Sequence, residues 1–150
     1  MNPDYREILS ALSAATAEFL VVGAYAMAVH GLPRATGDLD IWVGTRGDNP
    51  ARVRRALERF GAPLEQLAVD DLSKPDLVFQ IGIAPRRIDL LTSVDGVAFD
   101  VAWPERLETL VEGSRVPVIS RAHLIQNKRA TGRPQDLADL AWLERQQPAT

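Results

Sequence analysis

Two carboxylates two residues apart are the first sign of chemistry in this chain: Asp38 and Asp40, in Asp38-Leu39-Asp40-Ile41-Trp42-Val43. Strand side chains alternate faces. Asp38 and Asp40 would therefore share one face, about 6.6 Å apart along the strand, with Leu39, Ile41 and Val43 on the other. Asp is disfavoured in strands. Two neighbouring carboxylates also repel each other, and each holds its proton more tightly unless a cation lies between them. A hard divalent ion with oxygen ligands relieves that cost. A plainer reading stands beside this one: Asp38 caps a turn after Gly37, and Asp40 sits on an exposed edge.

Asp89 is a lone acid in the apolar stretch Ile88-Asp89-Leu90-Leu91. If its strand neighbours that of Asp38 and Asp40, three carboxylates converge on one face. Such a set can hold two metal ions about 3.5–4 Å apart and serve in-line phosphoryl displacement. Taken alone, Asp89 is equally an acid on an exposed face. Upstream, Val21-Val22-Gly23-Ala24-Tyr25 reads as a strand that ends in Gly and opens a helix. Free backbone N–H groups and the positive dipole end suit phosphate there, and Gly23 lets it approach closely. Arg34 and Thr36 lie just before the acids, on a loop that could cover the site. Arg34 could hold phosphate or neutralise carboxylates, or simply be solvated. His30 closes an Ala-rich helix and reads as a structural histidine.

The elements that must position these residues follow from periodicity. Tyr5, Ile8, Leu9 and Leu12 mark a helix over 3–17. Residues 19–22 read as a buried strand and 24–30 as a short helix stopped by Gly31 and Pro33. Strand 38–43 and a turn over 44–50 precede an Arg-rich amphipathic helix, 51–60, ended by Gly61. Its Arg52, Arg54, Arg55 and Arg59 read as a solvated face. Strands are expected at 77–83 and 88–91, a helix at 104–112 behind Pro104, and an edge strand at 116–119, because Pro117 is ill suited to a central strand. Helices over 121–131 and 134–145 flank Gly132. The fold class is therefore α/β or α+β, with a mixed sheet of about four or five strands flanked by helices.

Composition narrows the field. The chain has 150 residues, 46% hydrophobic and 25% charged, which suits a single globular domain over 1–150. The absence of Cys removes disulfide scaffolds, zinc ribbons and cysteine nucleophiles. A net charge of −3 argues against bulk polyanion binding. The longest apolar run, 19–29, is too short for a membrane span of about 20 residues. The polar N-terminal stretch lacks the features of a signal peptide. A cytoplasmic protein is expected.

The combination of Gly23-Ala24, Asp38-Leu39-Asp40 and Asp89 resembles the nucleotidyltransferase superfamily, whose fold is typified by DNA polymerase beta. Residues 22–40 are similar to small bacterial members, including minimal, antitoxin-type ones, and Asn127 to Leu140 resembles their C-terminal signature. Ala24 stands where that pattern carries Gly or Ser. The resemblance implies a metal-dependent transfer of a nucleoside monophosphate from an NTP, ATP first, to a hydroxyl on protein, RNA or a small molecule. It implies Asp38, Asp40 and Asp89 as catalytic residues and ligands of Mg²⁺ or Mn²⁺. Gly23, Ala24, Arg34, Thr36 and Lys128 become the nucleotide-binding candidates. Lys128 is one of two lysines, and Asp136 reads as its structural partner. A partner toxin and a homodimer are the assemblies to consider. The alternatives are an antitoxin-type binding protein and a nucleotide-binding domain without turnover.

Overall fold

The computed structural model describes residues 1–32, 37–83 and 85–146. Helix α1 (Pro3–Ala14) begins where Asn2 Oδ1 accepts the Asp4 N–H at 2.8 Å. Its predicted stripe of Tyr5, Ile8, Leu9 and Leu12 is buried. Each fully buried aliphatic side chain of this kind contributes about 1.5–3 kcal/mol. The apolar run 19–22 forms strand β1 (Phe19–Val22), followed directly by helix α2 (Gly23–Val29). Strand β2 (Leu39–Val43) buries Leu39, Ile41 and Val43 completely, as alternation requires. Helix α3 (Asn49–Phe60) ends in the left-handed Gly61 at φ 92°. At its start the buried Asn49 side chain accepts from the Glu18 N–H at 2.7 Å and donates to the Gly44 carbonyl at 2.7 Å. It thereby ties the approach to β1 to the exit of β2.

Strands β3 (Val78–Ile81) and β4 (Ile88–Leu91) form an antiparallel pair, and helix α4 (Phe99–Ala102) follows. The stretch expected as a helix over 104–112 is instead a short 3₁₀ turn, Trp103–Glu105, and strand β5 (Leu107–Val111). Leu107, Leu110 and Val111 mimic helical spacing, yet Leu107 and Leu110 are exposed. The deciding residues are Glu112 and Gly113, both at positive φ, which make a hairpin turn into β6 (Ser114–Val118). Helices α5 (Arg121–Thr131) and α6 (Pro134–Arg145) meet at the left-handed Gly132.

The sheet has six strands in the order β3-β4-β2-β1-β6-β5, one more than the upper expectation. β2–β4 and β1–β6 run parallel and the other pairs antiparallel. β6 is therefore an inner strand despite Pro117. The Ile119 N–H bonds the Val21 carbonyl, so the nitrogen of Pro117, two residues earlier, faces the same side. Pairing with β1 has not yet begun there, since the first register pair is Val21 with Val118. The sheet and helices share one buried apolar cluster. No helix among the described residues is long and apolar enough to cross a membrane.

Candidate active site

The strand register assembles the acids. Asp40 lies opposite Val22 in β1 on one side and opposite Asp89 in β4 on the other. Neighbouring strands are about 4.8 Å apart, so Asp40 and Asp89 share a face as direct neighbours. Asp38 precedes β2 by one residue and belongs to the same face. Gln80 pairs with Asp89 and extends the row to β3. The three acids singled out from sequence thus come together on one face of the sheet.

Gly23 makes room for them. It adopts φ +67° at the β1–α2 junction, and a Cβ there would overlap the Asp40 Oδ2. Only glycine combines that backbone with that approach. Ala24 stands in the first turn of α2, whose start has no side-chain cap, so its backbone N–H groups remain available. Arg34 and Thr36 lie outside the described residues.

Electrostatics concentrate on Asp40. Its pKa is pushed up to about 6, first by burial, then by the charges of Asp89 and Asp38, with Arg87 and Lys128 pulling the other way. Arg87 stands among the acids. Its Nη2 donates to Asp38 Oδ2 at 2.9 Å and to Asp89 Oδ2 at 3.3 Å, and its Nε lies 3.0 Å from Asp89 Oδ1. The sequence motifs did not single out Arg87. The signal was present: Arg87 is two residues before Asp89, so alternation puts both on one face. Tyr5 was also missed beyond its core role. Its hydroxyl donates to the carbonyls of Arg87 at 3.2 Å and Pro85 at 3.4 Å, pinning the backbone that carries Arg87. Its pKa is pushed up to about 12 by burial and then by Tyr25, Asp38 and Asp40. The Tyr5 and Tyr25 rings meet edge to face at 5.7 Å.

Lys128 sits close enough to act on Asp40, but its ammonium is committed elsewhere. It is 8% exposed and lies 3.3 Å from Asp136 Oδ1 and 3.0 Å from Asp139 Oδ2, joining α5 to α6. Arg133 Nε adds a 2.6 Å hydrogen bond to Asp136 Oδ2. Burial raises the Asp136 pKa, but hydrogen bonds from Arg133, Thr131 and Lys128 outweigh it and hold the pKa at about 2. His30 Nε2 meets the Ile119 carbonyl at 2.8 Å, which fits its structural reading.

The donor chemistry suits a hard divalent ion: three carboxylates on one face, with one held above its usual pKa by burial and then by negative neighbours. Among the described residues, however, no three acidic groups are gathered as a ready-made metal cluster. Arg87 engages two of them instead. A cavity of about 930 Å³ lies elsewhere, between α1 and the β5–β6 hairpin, lined by Arg6, Ser10, Phe19, Trp103, Glu112 and Val116 among others. Asp38, Asp40 and Asp89 do not line it.

Comparison with known proteins supports the fold. No protein-family model matches the chain, and no curated protein does so significantly. Solved structures do. A candidate nucleotidyltransferase of Thermotoga maritima superposes with a TM-score of 0.64 at 17% identity, covering 97% of this chain and 96% of that one. ANT(2″)-Ia, in complex with adenylyl-2″-tobramycin, gives 0.58 at 16% identity, covering 93% and 84%. An antigenic nucleotidyltransferase-like protein from Paracoccidioides brasiliensis gives 0.51 at 13% identity, covering 93% and 74%. The chain has the fold these proteins share.

Proposed function

We propose that this chain, which carries the nucleotidyltransferase fold, is a metal-dependent nucleotidyltransferase. It moves a nucleoside monophosphate from an NTP to an acceptor hydroxyl and releases pyrophosphate. The observation that carries this reading is the row Asp40–Asp89, with Asp38 on the same face, packed against a glycine that no other residue can replace without displacing Asp40.

Asp38, Asp40 and Asp89 would hold Mg²⁺ or Mn²⁺, which would neutralise triphosphate charge and polarise the acceptor oxygen. Gly23 and Ala24 offer backbone N–H groups to the β- and γ-phosphates. The acceptor oxygen forms a bond to the α-phosphorus as the bond to the bridging β-phosphate oxygen breaks. The acceptor proton passes to the Asp89 carboxylate, and the electron pair leaves with pyrophosphate. Positioning and charge neutralisation supply most of the acceleration. The adenylyl group on tobramycin in one structural neighbour supports ATP as the first donor to test and a small-molecule hydroxyl as one acceptor class.

The test is thermal shift with ATP, GTP, CTP and UTP, with and without Mg²⁺ or Mn²⁺, on wild type and an Asp38→Asn/Asp40→Asn variant. A ligand at 100 times its Kd adds about 2.7 kcal/mol, roughly 5–10 °C for a chain of this size. A metal-dependent rise in wild type alone supports the proposal. No rise with any NTP overturns it.

A further inference from the structure

A guanidinium occupies the position where a cation would bridge the acids. Arg87 hydrogen-bonds Asp38 and Asp89 together, at 2.9 and 3.3 Å from one nitrogen, and places a second nitrogen 3.0 Å from Asp89. Asp40, the most crowded of the three, receives no hydrogen bond at its carboxylate among the described residues. Lys128 acts on Asp40 only from a distance, because its ammonium is buried between Asp136 and Asp139.

The arrangement is built to release. The Arg87 side chain is one-third exposed, so it has room to move. Its backbone does not move with it, because Tyr5 from α1 holds the carbonyls on both sides of Arg86. Arg87 is thus a charged arm on a fixed pivot. A guanidinium leaving two carboxylates needs another anion, and its planar fork matches phosphate oxygens.

We infer that Arg87 is a resident counter-cation of the site, and that a divalent ion binds tightly only when nucleotide phosphates draw this guanidinium off Asp38 and Asp89. The inference rests on the proposed transferase reading and adds an order of binding to it. Arg87 is a positioning residue: it holds the acids together without metal, excludes a lone metal ion, and then joins the triphosphate. Free metal in the absence of nucleotide is therefore a weak ligand of this site.

The test is Mn²⁺ binding followed by electron paramagnetic resonance on wild type, Arg87→Gln and Arg87→Lys, without nucleotide. Binding of α,β-methylene-ATP in the presence of Mn²⁺ is measured in parallel by calorimetry. A neighbouring charge shifts a carboxylate's affinity for a proton by about 1–3 units, and a metal ion at the same oxygens feels the same charge. Arg87→Gln should therefore bind nucleotide-free Mn²⁺ about tenfold or more tighter than wild type, and bind the analogue with Mn²⁺ more weakly. Arg87→Lys reaches only one carboxylate at a time and should fall between; it carries the test if the Gln variant does not fold. A merely structural arginine predicts the opposite, weaker Mn²⁺ binding. Equal or weaker Mn²⁺ binding in both variants, with nucleotide binding intact, overturns this inference alone. No Mn²⁺ or analogue binding by any form, wild type included, overturns the transferase reading and this inference together.

Discussion

Two clusters of charge, each with a buried core, lie within reach of each other, and they are balanced differently. At the α5–α6 junction two acids, Asp136 and Asp139, meet two cations, Lys128 and Arg133. On the sheet face, among the described residues, the Arg87 guanidinium pairs with Asp38 and Asp89, and Asp40 lies beside them. Proton affinities are opposite: hydrogen bonds hold Asp136 at about 2 against its burial, while burial and then the neighbouring acids push Asp40 up to about 6. A balanced cluster is finished and holds helices together. An unbalanced one stores unfavourable charge that a bound cation relieves. The same residue type thus serves stability in one place and, on the proposed reading, catalysis in the other.

Removing one charge from each cluster gives the largest effects. Asp40→Asn should lower nucleotide transfer by about 10³-fold or more, because metal-held charge neutralisation contributes several kcal/mol. Its melting temperature should stay level or rise, since a crowded charge disappears. Lys128→Met should do the reverse. Breaking a buried pair from one side costs about 3–5 kcal/mol, seen as a large drop in the denaturation midpoint. Any transfer that survives in the folded fraction should keep its metal dependence. If Asp40→Asn were the unstable variant and Lys128→Met the inactive but stable one, the two roles would have to be exchanged.

The pH response separates the clusters next. Asp40 has a folded pKa above the unfolded value of 3.8, so its contribution to stability is complete below about 3.8 and is lost as pH rises through about 6. Asp136 has a folded pKa below 3.8, so its contribution is present above that value and is lost as pH falls through about 2. Each shift amounts to roughly 2–3 kcal/mol. Melting temperature followed in a chelator from about pH 2 to about pH 8 should show both slopes. Asp40→Asn should erase the upper one and leave the lower. Saturating Mn²⁺ and nucleotide should erase the upper slope in wild type, and their stabilisation should fade below about pH 6 as Asp40 takes up its proton.

Much of this contrast was legible in the sequence, and what was missed follows a pattern. Local alternation placed Asp38 and Asp40 on one face and marked Asp89 as a lone acid in a strand, and the strand–Gly–helix signal at Gly23 located their neighbour. These are short-range rules that hold whatever the rest of the chain does. The pairing of β2 with β4, which turns two separate strands into one site, is a long-range fact and needed the structure. Strand β5 departs from the helix expected there because Pro104 suits a helix's first turn, while the Glu112-Gly113 turn that decides the matter acts only through β6. Lys128 looked like a phosphate ligand. Its burial between Asp136 and Asp139 depends on how α5 meets α6, which spacing alone does not give. Arg87 belongs to no acidic motif, although its spacing from Asp89 places it beside the acids.

The smallest effect makes the finest distinction. Gly23 and Gly61 both adopt left-handed backbone, at φ +67° and +92°. Alanine at either position pays about 1–2 kcal/mol for that conformation. Around Gly61 nothing lies within 4 Å of an added Cβ, whereas at Gly23 the Cβ would run into the Asp40 carboxylate. Gly61→Ala should therefore lose a few degrees of melting temperature and keep the full metal-dependent shift with nucleotide. Gly23→Ala should lose at least as much stability and the shift as well, because relieving the overlap turns Asp40 away from Asp89. If Gly23→Ala kept the shift, Asp40 could move without harm, and its crowding against Asp89 would be incidental to binding. If Gly61→Ala lost it too, the shift would track overall stability rather than the acids. The pair thus separates a glycine needed for its backbone from one needed for the space it leaves to a neighbouring carboxylate.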